Sequence, residues 1–101
     1  MKILWSEQSV QALEKLVKFY KRIAGEDVGI KIQTEIVNAT VKLEGHPKIG
    51  RIELLLSFKN LGHRYIISGH CKIIYFIIDD DILITDVFDT RQEPNKIKKD
   101  I

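Results

Sequence analysis

The sequence predicts an α+β fold: an N-terminal strand and a helical hairpin packed on a small antiparallel β-sheet. Three observations predict it. From Gly62 to Gln92, runs rich in β-branched and aromatic residues are separated by turn signals at Ser68-Gly69 and Asp79-Asp80-Asp81, the pattern of antiparallel strands joined by tight hairpins. Between Ser6 and Leu43, apolar residues recur with a period near 3.6, broken at Gly25. The middle strand run, His70 to Ile78, carries Lys72, Ile74, Phe76 and Ile78 on one face and Cys71, Ile73, Tyr75 and Ile77 on the other. Successive strand residues point to opposite faces, so this strand is apolar on both sides. A sheet with one wet face alternates apolar and polar residues instead. Each face therefore needs a cover.

Each element has its own warrant. Lys2 to Trp5 reads as a short edge strand. Ser6 is a good N-cap, and Glu7 and Gln8 suit the first turn of a helix. Val10, Leu13, Leu16, Val17, Tyr20 and Ile23 follow at helical spacing, with Lys15, Lys18, Lys21 and Arg22 mostly on the other side. Gly25 ends this helix. Glu26-Asp27 opens a second one, with Ile32, Ile36, Ala39, Thr40 and Leu43 on its apolar face and Val37 at the edge. Its β-branched content also permits a strand over 28–41, but the period near 3.6 over so long a run favours helix. Gly45-His46-Pro47 stops it.

Lys48 to Arg51 reads as a loop, Arg51 to Phe58 as a short helix or an irregular apolar segment under the sheet, and Asn60-Leu61-Gly62 as a turn. The last strand, Ile82 to Asp89, alternates Ile82, Ile84, Asp86 and Phe88 against Leu83, Thr85, Val87 and Asp89. Residues 90–101 read as an exposed basic tail with one turn of helix at Asn95 to Lys99. The helical hairpin covers one sheet face. For the other, three covers are open: the 47–61 loop folded back, a second copy of the chain, or a partner.

The chain has 101 residues, 45% of them apolar, which suits one domain over 1–101 with a modest core. Its single cysteine, Cys71, cannot form an internal disulfide, which fits a reducing cytoplasm. No apolar run approaches the roughly 20 residues that span a bilayer, so no membrane role is expected. The net charge is +2, with local basic clusters at Lys59, His63, Arg64 and at Lys96, Lys98, Lys99. Such clusters suit a solvated surface or an acidic partner.

No His/Cys spacing suggests zinc, and no cofactor is expected. Cys71 reads as a small core residue and Asp79-Asp80-Asp81 as a solvated turn. His63 and His70 read as polar surface residues flanking a hairpin, whose register decides whether they meet. Arg91 is the leading functional candidate. Its guanidinium suits bidentate recognition of a carboxylate or phosphate, or alternatively a structural ion pair with Asp89 or Glu93.

Several of these pieces, in this order, resemble the RelE/ParE superfamily of toxins. They are Ile3-Leu4-Trp5-Ser6, Gly45-His46-Pro47 with Gly50-Arg51, Gly62-His63-Arg64-Tyr65, Lys72-Ile73-Ile74-Tyr75, and Val87 to Pro94. Lys72-Ile73-Ile74-Tyr75 is similar to the family's central R-x-x-Y strand, with lysine in place of arginine. The exit from Val87 resembles ParE-like members. The resemblance implies a type II toxin and a cognate antitoxin that folds onto the uncovered sheet face. Arg91, Lys72, Ile74, Phe76 and Lys96 are then the expected contacts for antitoxin or target.

Two activities go with this fold. ParE-like members inhibit DNA gyrase by binding it. RelE-like members cleave mRNA on the ribosome, which would employ Lys72, Arg64 and His63 here. Such cleavage needs a base, an acid and cations around the phosphorane. No tyrosine or histidine follows Tyr75, and a lysine would need a strongly lowered pKa to replace one. The ParE-like branch is therefore expected.

Overall fold

The structure is a computed structural model and describes residues 1–93. Strand β1 (Ile3–Trp5) leads into helix α1 (Glu7–Ala24), and helix α2 (Glu26–Val41) runs on into a 3₁₀ turn, Lys42–Glu44. Strand β2 (Arg51–Ile52), a 3₁₀ helix (Leu54–Lys59) and strands β3 (Arg64–Ser68), β4 (Cys71–Ile78) and β5 (Asp81–Asp89) follow. The strands form one sheet in the order β1-β5-β4-β3-β2. The expected tail helix at Asn95 to Lys99, and Lys96 with it, lie outside the described residues.

Local chemistry sets the helices. The Ser6 hydroxyl accepts the Ser9 amide at 3.1 Å and caps α1. Gly25 both ends α1 and begins α2. It sits at φ 103°, ψ 162°, a conformation close to glycine-only, and so turns the chain within one residue. Lys21 and Glu26 pair across this turn at 3.1 Å. Leu16, Ile36 and Leu43 pack against Cys71, Ile73, Tyr75, Ile82, Ile84 and Val87, and this is the main core. Burying each such aliphatic side chain contributes about 1.5–3 kcal/mol.

The sheet differs from the sequence expectation in three respects. First, β1 pairs parallel to β5, with Ile3 opposite Ile82 and Trp5 opposite Ile84, so the sheet is mixed. The two helices and three antiparallel strands between them carry the chain round to make that parallel match, which no tight turn permits. Second, a two-residue β2 borders Arg64 and Tyr65 where the expected loop meets the expected short helix or irregular segment.

Third, the alternation of β5 breaks. Ile74 pairs with Asp86, but Tyr75 pairs with Ile84, so Thr85 is an extra residue. A bulge of this kind reverses the facing of everything beyond it. Val87 and Asp89 therefore join Ile82 and Ile84 on the helix side, while Asp86 and Phe88 face away.

Tyr75 ties the long connection to the sheet. Fully buried, it donates its hydroxyl to the Pro47 carbonyl at 2.8 Å and accepts the Gly50 amide at 3.0 Å. Gly50 permits this approach, since a Cβ there would lie 2.5 Å from the Tyr75 hydroxyl oxygen and 2.7 Å from the Tyr65 carbonyl oxygen. The Tyr75→Phe substitution leaves both backbone groups without that partner. It is expected to lower the unfolding free energy by about 1–3 kcal/mol in urea titration; an unchanged midpoint would mean that other contacts hold the loop.

Candidate functional site

The sheet face turned away from the helices is the one that the family resemblance gives to the antitoxin. It presents Lys72, Ile74 and Phe76 from β4, Tyr65 and Ile67 from β3, and Leu83, Asp86 and Phe88 from β5. The expectation that this face lacks an in-chain cover is corrected by the structure. Residues 53–63 fold back over its centre, the loop alternative left open by the sequence. The Glu53 amide donates to the His63 carbonyl at 2.8 Å and closes this segment into a lid. Leu56 packs against Ile74 and Phe88 beneath it. Ile74 is 1% exposed and Phe76 9%, so the two residues expected to greet a partner are covered by the chain itself.

One ion pair fastens the lid. Lys72 meets the Glu53 carboxylate, which is 5% exposed, and lies 4.0 Å over the Tyr65 ring. Glu53 also accepts the Leu55 amide at 3.2 Å and so caps the 3₁₀ helix. A carboxylate here gives the Lys72 ammonium a counter-charge that apolar neighbours do not.

His63 is buried under the lid, not on the surface as expected, and its ring packs edge-on to Phe76 at 5.0 Å. Burial lowers its pKa, Lys59 lowers it further, and Glu53 opposes both. His70 lies in the exposed β3–β4 turn, at the other end of β3, so the two histidines do not meet.

The residues expected for RNA cleavage are therefore divided. Lys72 is paired and His63 buried on the lid side. Arg64 pairs with Tyr75 on the helix side, and its guanidinium donates to the carbonyls of Gly50 at 2.8 Å and Lys48 at 3.2 Å. Within the structure, the three do not surround a common point. Among the described residues no group of three or more His, Cys, Asp or Glu is placed to hold a metal ion.

Arg91 makes the structural ion pair with Asp89 that the sequence offered as its alternative reading. Its backbone amide donates to Asp89 at 2.8 Å, and its guanidinium donates to the Tyr20 hydroxyl at 3.0 Å and to Asp89 at 3.3 Å. Tyr20 donates to the same carboxylate. Burial would raise the Asp89 pKa, but the hydrogen bonds from Tyr20 and Arg91 outweigh it and hold the carboxyl below its ordinary value. The Arg91 side chain is still 57% exposed. Burial pushes the Cys71 thiol up to about 11, in keeping with a core role.

Two hollows lie on this part of the molecule, one at the β3 edge and one under the lid. One of about 560 Å³ runs along the outer edge of β3 and is lined by Ala39, Lys42, Ile49, Arg51, Tyr65 and Ile67 among others. β2 pairs only with Arg64 and Tyr65, so the β3 edge beyond them has no strand partner among the described residues. The second, about 300 Å³, lies between lid and sheet beside Lys59, His63, Phe76 and Asp86.

Glu53 and Tyr65 had no assigned role in the sequence reading. A signal for Glu53 was present: it is the single acid between Gly45 and Ile78, set before three leucines.

Two measurements check this arrangement. Glu53→Gln leaves the Lys72 ammonium without its counter-charge and is expected to cost about 2–3 kcal/mol, whereas Glu53→Leu with Lys72→Met should recover most of that loss. Equal stability of the wild type and both variants would dismiss the ion pair. For His63, the folded-state pKa lies below the unfolded value, so the unfolded chain binds more protons between the two. Stability is full above the ordinary value of 6.5 and falls as pH drops through it towards the folded value. Urea midpoints from pH 7.5 to 5 should show this fall, and His63→Gln should flatten it; the same slope in both would remove His63 as its source.

No curated protein sequence matches. A structure described as the chromosomal ParDE TA system from P. aeruginosa is similar, with a TM-score of 0.75 at 16% identity, over 88% of this chain and 95% of that one. At that identity the likeness concerns the fold. The family model for the ParE toxin of type II toxin–antitoxin systems, parDE, matches residues 3–94. That match spans nearly the whole sequence, and the chain belongs to the ParE toxin family of type II toxin–antitoxin systems.

Proposed function

We propose that this toxin acts in the cytoplasm by binding DNA gyrase without cutting RNA, and that its cognate antitoxin neutralises it. The observation that carries this reading is the ion pair of Lys72 with Glu53 beneath the lid. A nuclease needs cations free to meet a pentavalent phosphorus. Here the lysine that matches the family's strand arginine is occupied by a carboxylate of its own chain, and Arg64 serves backbone carbonyls on the other side of the sheet. The surface is left with protein-binding features: exposed apolar side chains, cations and an open strand edge.

For the antitoxin, the hollow along β3 is the better seat, because it joins apolar walls to the cations Lys42 and Arg51 beside an unpaired strand edge. Arg91 adds an exposed guanidinium at the end of β5, near the basic tail that holds Lys96. Ile74 and Phe76 act as the floor that supports the lid and are assigned no direct contact.

Supercoiling by purified gyrase should fall to background at saturating toxin and return on addition of the antitoxin. Primer extension on mRNA from expressing cells should show no codon-linked cuts. Undiminished supercoiling, or such cuts, would defeat the reading.

A further inference from the structure

The lid has a second side, turned away from the sheet. A 3₁₀ helix eclipses residues three apart. Leu56 and Lys59 share the row that meets the sheet and the hollow beneath it. The other two rows face solvent, yet they hold Leu54 at 74% exposed, Leu55 at 39% and Phe58 at 57%, with Leu61 at 49% just beyond, at the mouth of that hollow. These are large apolar side chains on one short turn of chain, standing out from the surface. Single exposed apolar residues are ordinary, but a cluster is not.

The surrounding charge is one-sided. From Gly45 to Ile78 the sequence has five cations, Lys48, Arg51, Lys59, Arg64 and Lys72, and a single acid, Glu53. That acid is buried against Lys72. The segment that carries the apolar ridge thus has exposed Lys48, Arg51 and Lys59 and no exposed acid.

From the projecting side chains and this charge we infer that the lid ridge Leu54, Leu55, Phe58 and Leu61 is the surface that docks on the toxin's folded target, in an apolar cleft rimmed by carboxylates. A projecting ridge needs a preformed hollow to bury it. A segment that folds on binding instead needs a hollow in the toxin, which the β3 edge provides. Phe58 is the natural central anchor, since aromatic side chains carry a large share of binding energy at such contacts. The exposed cations of this segment speed encounter and make binding salt-sensitive. The assignment rests on gyrase being the target.

The test measures binding of the full chain to purified DNA gyrase and, separately, to the cognate antitoxin. The variants are Leu54→Ser with Phe58→Ser, Arg51→Glu with Lys59→Glu, and Ile30→Ser, which removes a half-exposed apolar group from α2. Thermal melts restrict the comparison to folded protein. The apolar double variant should lose at least tenfold in gyrase affinity, with antitoxin affinity within about twofold of wild type. The charge-reversed variant should lose the salt dependence of association, and Ile30→Ser should match wild type. Wild-type affinity for gyrase in the apolar variant would overturn this surface while the gyrase reading stands. Equal loss towards the antitoxin would reassign the ridge to that partner and overturn it too. No binding of the wild-type chain to gyrase would defeat both.

Discussion

Strand β4 is apolar on both faces, and the rest of the chain is arranged to keep water from each. The helical hairpin covers Cys71, Ile73 and Tyr75. The 53–63 lid covers Ile74 and Phe76. These covers differ in kind. The hairpin is two long helices with a continuous core. The lid is a short loop that rests on Leu56, one buried ion pair and one backbone hydrogen bond. A loop with so few buried contacts opens at lower cost than the helices do.

The lid changes what the family's strand residues do here. Tyr75 points to the helix side and holds Pro47 and Gly50, so its role is to anchor the long connection. Lys72 points to the other side, where Glu53 takes up its charge. Both positions thus serve the packing of the protein. The chemistry available to a partner moves outward, to the ridge, the β3 edge and the Arg91 corner.

Much of the fold was legible in the sequence because its signals are local. Ser6, Gly25 and Pro47 mark helix ends by backbone rules that need no neighbours. Ser68-Gly69 and Asp79-Asp80 mark the hairpin turns for the same reason. The lid was only half legible: its apolar residues showed that it packs, but not on which side. The site residues were less readable still. Arg91 and Asp89 lie close in sequence and their pairing was foreseen, whereas Tyr20 joins them only through the fold. His63 looked like a surface histidine because burial depends on a lid whose placement no short-range pattern encodes.

Composition and periodicity alone determined two helices, three hairpin strands and a sheet needing two covers, since these follow from backbone preferences and the two-residue and 3.6-residue repeats. Tertiary structure decided the parallel β1–β5 pairing, the bulge at Thr85 that brings Val87 onto the face of Ile82 and Ile84 and turns Phe88 away from it, and the meeting of Glu53 with Lys72. Each of these depends on contacts between residues far apart in the chain or on a change of register by one residue. Their energies arise only once the sheet is assembled, so no stretch of sequence carries them by itself.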